Sequence, residues 1–124
     1  MSENQSKPTL MALVVEDDPD LKEIFEMALE EAGYEPMIIS DGQIAIDTLP
    51  TIKPHLIVLD LHLPHVSGAE ILDQIRATAH LEKTRVILTT ANSRWADELR
   101  PKADLVLDKP VSYRQLRDFA LRFR

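Results

Sequence analysis

The sequence of 124 residues contains no cysteine. This absence excludes disulfide bonds, thiolate metal sites and cysteine nucleophiles. The sequence also lacks any apolar run near the ~20 residues that a membrane-spanning helix needs. Its beginning, MSENQSKPTL, has no apolar core for a signal peptide. We therefore expect a cytoplasmic protein.

Basic residues are few compared with acidic ones. The 14 lysines and arginines against 21 aspartates and glutamates give a formal net charge of −7. Nonspecific binding to nucleic acid or to an anionic membrane normally needs a basic patch. The charge therefore argues against direct nucleic-acid binding and against a membrane partner.

Five short apolar runs alternate with longer amphipathic stretches. The runs occupy positions 10–15, 37–39, 56–59, 86–88 and 105–107. Such alternation is typical of an α/β domain with a mainly parallel sheet. The length suits one domain, so we expect a polar tail over residues 1–8, a domain over residues 9–124 and no output domain.

Helix starts and ends can be predicted from local patterns. Between the first two runs, apolar residues at 21, 24, 25, 28, 29 and 32 form one helix face. Asp18 and Pro19 predict its start, and Gly33 predicts its end. Three later pairs have the capping-box spacing, in which side chains satisfy the free amides of a first turn. These pairs are Ser40 with Gln43, Ser67 with Glu70, and Ser112 with Gln115.

Polar residues follow the apolar runs. Glu16 and Asp17 come after the first run, Asp60 after the third, Thr90 after the fourth and Lys109 after the fifth. In open parallel α/β sheets, ligands bind outside the carboxyl ends of the strands. With strand order 2-1-3-4-5, the first and third strands are neighbours, and the three carboxylates should converge.

Converging carboxylates repel one another unless a cation joins them. Mg²⁺ suits such a site because it takes oxygen ligands at about 2.0 to 2.1 Å and keeps positions for water or a phosphate. Aspartate is a known acceptor of phosphoryl groups beside such an ion. We expect Asp60 in that role, with Lys109 and Thr90 contacting the phosphoryl oxygens.

Four motifs, in order, resemble those of the receiver domain of two-component response regulators. They are VVEDDP at 14–19, VLDLHLPHVSG at 58–68, ILTTA at 87–91 and DKP at 108–110. The similarity spans about residues 9–123. It implies a flavodoxin-like (βα)5 sandwich, with helices flanking a five-stranded parallel sheet of order 2-1-3-4-5.

The resemblance also assigns roles to the polar residues. It implies a phosphoacceptor at Asp60, a switch hydroxyl at Thr90, and a phosphate-binding Lys109 joined to Pro110 by a cis bond. The implied magnesium-site residues are Glu16, acting through water, Asp17, Asp60 and the backbone carbonyl of His62.

Two features depart from the family pattern. Receivers often carry an aromatic residue three positions before the lysine, as the rotameric partner of the threonine, and Val106 stands there instead. The segment between Thr90 and Lys109 is also shorter than is common. We expect a short or irregular fourth helix between positions 93 and 100, ended by Pro101, so the usual interface on that face cannot be assumed.

The resemblance predicts a single-domain response regulator. A sensor histidine kinase or a histidine phosphotransfer protein would donate a phosphoryl group to Asp60, adding about −1.5 to −2 charges. The signal would pass to an unidentified downstream protein, and a homodimer is compatible with the family. Beyond its own phosphotransfer and dephosphorylation, we do not expect an enzyme.

Other functions compete with this one. A receiver-like interaction module that works without phosphorylation would suit Val106, but not the complete acidic set. A magnesium phosphohydrolase of the haloacid-dehalogenase type would need a second aspartate where this chain has His62. Flavodoxin-like electron carriers fit less well, because no Gly-rich or Ser/Thr-rich phosphate loop follows the first run.

Several residues have simpler explanations. Asp18 suits a helix cap, and Thr89 suits a strand by β-propensity. His62 and His65 lie in a loop without a helical face, so we do not expect a metal-binding pair. We expect His62 to flank the phosphate site and to tune the access of water. Trp95 could mark a partner surface, although a single exposed aromatic residue needs no explanation.

Overall fold

A parallel sheet of five strands forms the centre of the chain, in the order β2-β1-β3-β4-β5. The computed structural model describes residues 9–124, so the tail predicted for residues 1–8 lies outside the described part. The strands are β1 (Leu10–Val15), β2 (Tyr34–Ile39), β3 (Leu56–Asp60), β4 (Arg85–Thr90) and β5 (Leu105–Asp108). The predicted fold class and strand order are confirmed.

Helices connect the strands on both faces of the sheet. The α-helices in the described residues are α1 (Pro19–Glu31), α2 (Gly42–Thr48), α3 (Gly68–Ala77) and α4 (Tyr113–Arg122). Short 3-10 helices occupy Leu49–Thr51, Ala79–Leu81 and Asp97–Lys102. Within residues 9–124, none of the helices has both the length and the apolar character that a membrane crossing requires.

Most of the predicted helix boundaries are confirmed, but one is wrong. The confirmed caps are Asp18, Ser67 and Ser112, and α1 ends before Gly33, whose φ is 94°. Ser40 does not cap α2. Asp41 caps it by accepting a hydrogen bond from the Gln43 amide at 2.9 Å. Because Asp41 is extended and its carboxylate reaches that amide, the helix begins one residue later than predicted. Ser40 accepts a hydrogen bond from Lys22 Nζ at 2.8 Å instead.

The sheet carries an apolar layer on each face. All five residues of β3 are buried, and side chains alternate between the two faces along each strand. Leu59 packs in one layer with Ile71 of α3, whereas Val58 packs in the other with Phe25 of α1. This two-sided burial explains why the third run is continuously apolar.

The β4–β5 connection, residues 91–104, contains no α-helix. Turns lead into the 3-10 helix Asp97–Lys102, so the predicted short and irregular region is confirmed. The prediction that Pro101 ends the helix is wrong, since Pro101 lies inside the 3-10 helix. Proline fixes φ near −65°, which lies within the range of a 3-10 helix.

Side chains on the surface hold the β4–β5 connection against the rest of the domain. Arg76 of α3 donates hydrogen bonds to the Lys102 carbonyl at 2.7 Å and to the Thr84 carbonyl at 3.0 Å. Its third contact is an ion pair with Asp104 at 3.3 Å. Asp104 also accepts from the Val86 amide at 2.8 Å. One arginine and one aspartate therefore tie the starts of β4 and β5 to α3.

Candidate functional site

Polar side chains meet at the carboxyl ends of four neighbouring strands. Glu16 and Asp17 directly follow β1, Asp60 ends β3, Thr90 ends β4 and Lys109 directly follows β5. The strands are parallel and in register, so these ends share one edge of the sheet. We call the five residues together the acidic edge. The predicted convergence is confirmed.

The three carboxylates of the acidic edge differ in exposure. Glu16 is 1% exposed and Asp60 is 2% exposed, whereas Asp17 is exposed. One carboxylate oxygen from each residue lies within 4.8 Å of the others. The group therefore consists of two buried carboxylates and one carboxylate that solvent can reach.

The Lys109 ammonium lies between the two buried acids. Its Nζ is 3.2 Å from Asp60 Oδ1 and 3.5 Å from Glu16 Oε1. The Lys109 backbone amide donates to the Thr90 carbonyl at 2.7 Å. The peptide bond between Lys109 and Pro110 is cis, as the family resemblance implies. One positive charge thus stands beside two buried carboxylates.

Backbone packing fixes the direction of the loop that follows Asp60. The His62 amide donates to Asp60 Oδ1 at 3.0 Å, which orients the carboxylate. Gly68, the first residue of α3, packs directly against the same loop. A Cβ atom on Gly68 would lie 2.5 Å from the Asp60 carbonyl oxygen and 2.6 Å from Leu61 Cα. Only glycine permits this close approach.

Burial and a neighbouring charge alter the acidity of Glu16. Burial is the largest cause and the negative charge of Asp60 is the second, and together they raise the pKa of Glu16 from 4.5 to about 7. The Asp18 amide, which donates to Glu16 Oε2 at 3.2 Å, and the Lys109 ammonium lower the pKa by a smaller amount. Near neutral pH, Glu16 is therefore close to taking up a proton.

The donor set of the acidic edge fits a hard divalent cation. Glu16 Oε1 is buried and has no hydrogen-bond partner, although the Lys109 ammonium stands near it. A cation would satisfy this oxygen and would offset the repulsion that raises the pKa of Glu16. Mg²⁺ prefers oxygen ligands of this kind. In the described range, the residues that could hold one metal ion together are Glu16, Asp17 and Asp60. The side chains of His62 and His65 do not belong to this group.

Thr90 makes contacts that the sequence did not predict. Its Oγ1 is buried and lies 2.9 Å from His62 Nε2. It also accepts from the Asn92 amide at 3.0 Å and donates to the Asn92 carbonyl at 3.1 Å. Within residues 9–124, these hydrogen bonds go to His62 and Asn92 and none goes to Asp60.

His62 in turn stacks on Trp95. The two ring centroids are 5.3 Å apart and the ring planes differ by 26°. The sequence predicted that His62 flanks the phosphate site, but no pattern in the sequence predicted that its ring contacts Thr90 and Trp95. His62 and Thr90 are 28 residues apart, and no periodic pattern connects them. The one indication in the sequence was Val106, which has no aromatic ring to serve as the partner of Thr90.

Known proteins resemble this chain along most of its length. The sequence model described as "Response regulator receiver domain" matches residues 12–120. The DNA-binding response regulator MtrA of Mycolicibacterium smegmatis is 31% identical over 107 residues, which cover 84% of this chain and 46% of MtrA. The chain thus spans less than half the length of that relative. The polar-differentiation response regulator DivK of Brucella anthropi is 31% identical over 103 residues, covering 81% of this chain and 84% of DivK.

Solved structures share the fold. The chemotaxis response regulator CheY4 of Vibrio cholerae has a TM-score of 0.86 at 22% identity, covering 94% of this chain and all of that one. The receiver domain of the sensor histidine kinase PA1611 from Pseudomonas aeruginosa, solved with a magnesium ion in its active-site cleft, has a TM-score of 0.83 at 26% identity. It covers 94% of this chain and 98% of that one. The match over residues 12–120 and the 31% identity to MtrA and to DivK establish that the chain belongs to the response regulator receiver domain family.

Proposed function

We propose that the chain is a phosphorylation switch in which Asp60 accepts a phosphoryl group in a magnesium-dependent reaction. The observation that supports this proposal most is the buried Asp60 carboxylate. It lies 3.2 Å from Lys109 Nζ and within 4.8 Å of the Glu16 and Asp17 carboxylates. A purely structural acid would not need two further acids and a lysine around it.

The transfer exchanges one bond for another. An Asp60 carboxylate oxygen attacks phosphorus, and the bond between phosphorus and the imidazole nitrogen of a phosphohistidine breaks. The electron pair of that bond remains on the imidazole. The Lys109 ammonium meets a phosphoryl oxygen as a point charge, and the Thr90 hydroxyl donates a hydrogen bond to another. The donor is a sensor histidine kinase or a histidine phosphotransfer protein.

Glu16, Asp17, Asp60 and the backbone carbonyl of His62 would hold the magnesium ion. The ion, when bound, neutralises charge on the phosphoryl oxygens. The unpaired oxygen of Glu16 supports this assignment, as does the magnesium ion in the related receiver of PA1611. Lys109 Nζ, which lies 3.2 Å from Asp60 Oδ1, is placed to contact a phosphoryl group on that carboxylate.

We also propose that the signal passes to a separate protein, as in a single-domain regulator of the cytoplasm. The relatives include both organisations, since the match covers 84% of DivK, whereas the DNA-binding relative MtrA is more than twice as long as the matched part. The net charge of −7 argues against direct binding of nucleic acid. A homodimer is compatible with these features.

The competing functions have less support. A phosphohydrolase of the haloacid-dehalogenase type needs an acid two residues after the nucleophile, and the ring of His62 there contacts Thr90 and Trp95. A module that works without phosphorylation would not need buried carboxylates, because each costs free energy to desolvate. Such a module also leaves Glu16, Asp17 and Lys109 around Asp60 without a role.

Labelling with a small phosphodonor tests the proposal. Incubation with Mg²⁺ and acetyl phosphate should add one phosphoryl group per chain, measured by intact-mass spectrometry, and Asp60→Asn should abolish the addition. Asp41→Asn is a matched control, because asparagine caps a helix about as well as aspartate, and its labelling should equal that of the unaltered protein. Equal labelling of Asp60→Asn would refute the assignment.

A further inference from the structure

The hydrogen-bonding capacity of the Thr90 hydroxyl is fully used by the contacts that it makes in this structure. A threonine hydroxyl offers one proton and two acceptor lone pairs. The Asn92 amide, the Asn92 carbonyl and His62 Nε2 all lie between 2.9 and 3.1 Å from Oγ1. Donating its proton to a phosphoryl oxygen on Asp60 therefore requires Thr90 to give up a bond that it now makes.

In the described part of the chain, the two acceptors near this proton, His62 Nε2 and the Asn92 carbonyl, belong to groups that contact Trp95. The Asn92 carbonyl also accepts from the Trp95 amide at 3.2 Å, and His62 stacks on the Trp95 ring at 5.3 Å. If Thr90 gives up its bond to His62 or its bond to the Asn92 carbonyl, the group that loses the bond is one that contacts Trp95. The phosphorylation site and this surface residue are therefore joined by a short chain of direct contacts.

His62 is the more responsive of the two connections. The Asn92 carbonyl keeps the Trp95 amide as a donor when Thr90 turns away. Within residues 9–124, by contrast, the ring of His62 has Thr90 as its hydrogen-bond partner and Trp95 as its stacking partner. His62 is exposed, so packing does not otherwise hold its ring, and its orientation depends on Thr90.

We propose that His62 is the positioning residue of the Thr90 hydroxyl, and that Trp95 transmits the state of Asp60 to the surface. This inference rests on the proposed function of Asp60. The two rings take the place of the aromatic partner that receivers often carry where this chain has Val106. Trp95 is 49% exposed, so a change in its stacking alters the surface that a partner protein would meet.

Trp95 is the only tryptophan in the sequence, so the tryptophan fluorescence of the protein comes from this side chain alone. The protein is treated with Mg²⁺ and acetyl phosphate, the labelled fraction is measured by intact mass, and the change in Trp95 emission is expressed per labelled fraction. We expect a clear change in the unaltered protein and none in Asp60→Asn. In His62→Ala, which keeps the backbone amide and carbonyl, most of the change per labelled fraction should be lost.

His65→Asn is the matched control, since it removes an imidazole from the same loop. Asparagine tolerates the left-handed backbone found at His65, whose φ is 70°. This variant should retain the full emission change. If the unaltered protein takes no label, the proposed function fails and this inference fails with it. If it is labelled without an emission change, only the inference fails.

Two further results would overturn the role of His62. An emission change of equal size in His62→Ala would show that the ring does not carry the signal. Loss of labelling in His62→Ala but not in Thr90→Val would show that the ring acts in the transfer itself rather than through Thr90. A smaller emission change at measurable labelling supports the proposal.

Discussion

Two segments that begin at the same edge of the sheet are held in place by different means. In the acidic edge, the backbone fixes the positions of the side chains. The strand register aligns the carboxyl ends of the strands, and Gly68 packs against the loop after Asp60. In the β4–β5 connection, a short 3-10 helix is tied down by exposed and half-exposed side chains, chiefly Arg76 and Asp104. We infer that the acidic edge, which carries the chemistry, is rigid, and that the β4–β5 connection, which carries Trp95, is more easily rearranged.

Gly68→Ala should have the largest effect on stability, because the new Cβ would meet backbone atoms that cannot move aside. The closest contacts would be 2.5 and 2.6 Å, and we expect a loss of about 3 kcal/mol in the free energy of unfolding. Denaturant titration measures this loss. Gly42→Ala should cost less, because its nearest contact is longer, at 2.9 Å. A neutral Gly68→Ala would show that the acidic edge is less rigid than described.

The pH dependence of stability tests the electrostatics of the acidic edge. The pKa of Glu16 is raised from 4.5 to about 7 in the folded chain, so between these values the folded state binds more protons than the unfolded state. Stability must then fall as pH rises through this window. We expect a loss of about 2 kcal/mol between pH 5 and pH 7 without divalent ions, measured by urea denaturation.

Glu16→Gln is the control for this pH dependence. Glutamine keeps the shape of the side chain but does not titrate, so the part of the loss that belongs to Glu16 should disappear. An unchanged pH profile in this variant would place the titrating group elsewhere.

Arg76→Ala should weaken the β4–β5 connection. It removes hydrogen bonds to two carbonyls and one ion pair with Asp104. Because the side chain is partly exposed, we expect about 1.5 kcal/mol of destabilisation, with faster amide hydrogen exchange confined to residues 91–104. Arg94→Ala, an exposed change in the same connection, should stay within about 0.5 kcal/mol. Exchange spread evenly over the domain would contradict the local role of Arg76.

Magnesium binding should give the smallest shift of this series. Only the folded chain gathers the three acids, so Mg²⁺ at ten times its Kd should stabilise the fold by about 1.4 kcal/mol. The stabilisation should be larger at pH 8 than at pH 6, since the ion competes with the proton on Glu16. Thermal melting at both pH values measures this. No shift at either pH would contradict a site formed by Glu16, Asp17 and Asp60.

The same contrast explains how far the sequence could predict this structure. Asp60 and Lys109 could be placed at one edge because each follows an apolar run, and parallel strands bring such ends together. The contact of His62 with Thr90 could not be predicted, since it depends on how an irregular segment packs. Likewise, a capping pattern suggested Ser40, but the competition with the neighbouring Asp41 was decided by backbone geometry.

Mapping the phosphorylated residue tests the central claim most directly. After treatment with Mg²⁺ and acetyl phosphate, reduction of the acyl phosphate with borohydride marks the modified carboxyl group, and peptide mass spectrometry locates it. The account predicts the mark on Asp60, dependent on Mg²⁺. A mark on Glu16 or Asp17, or a fully exposed acid marked equally well, would contradict it.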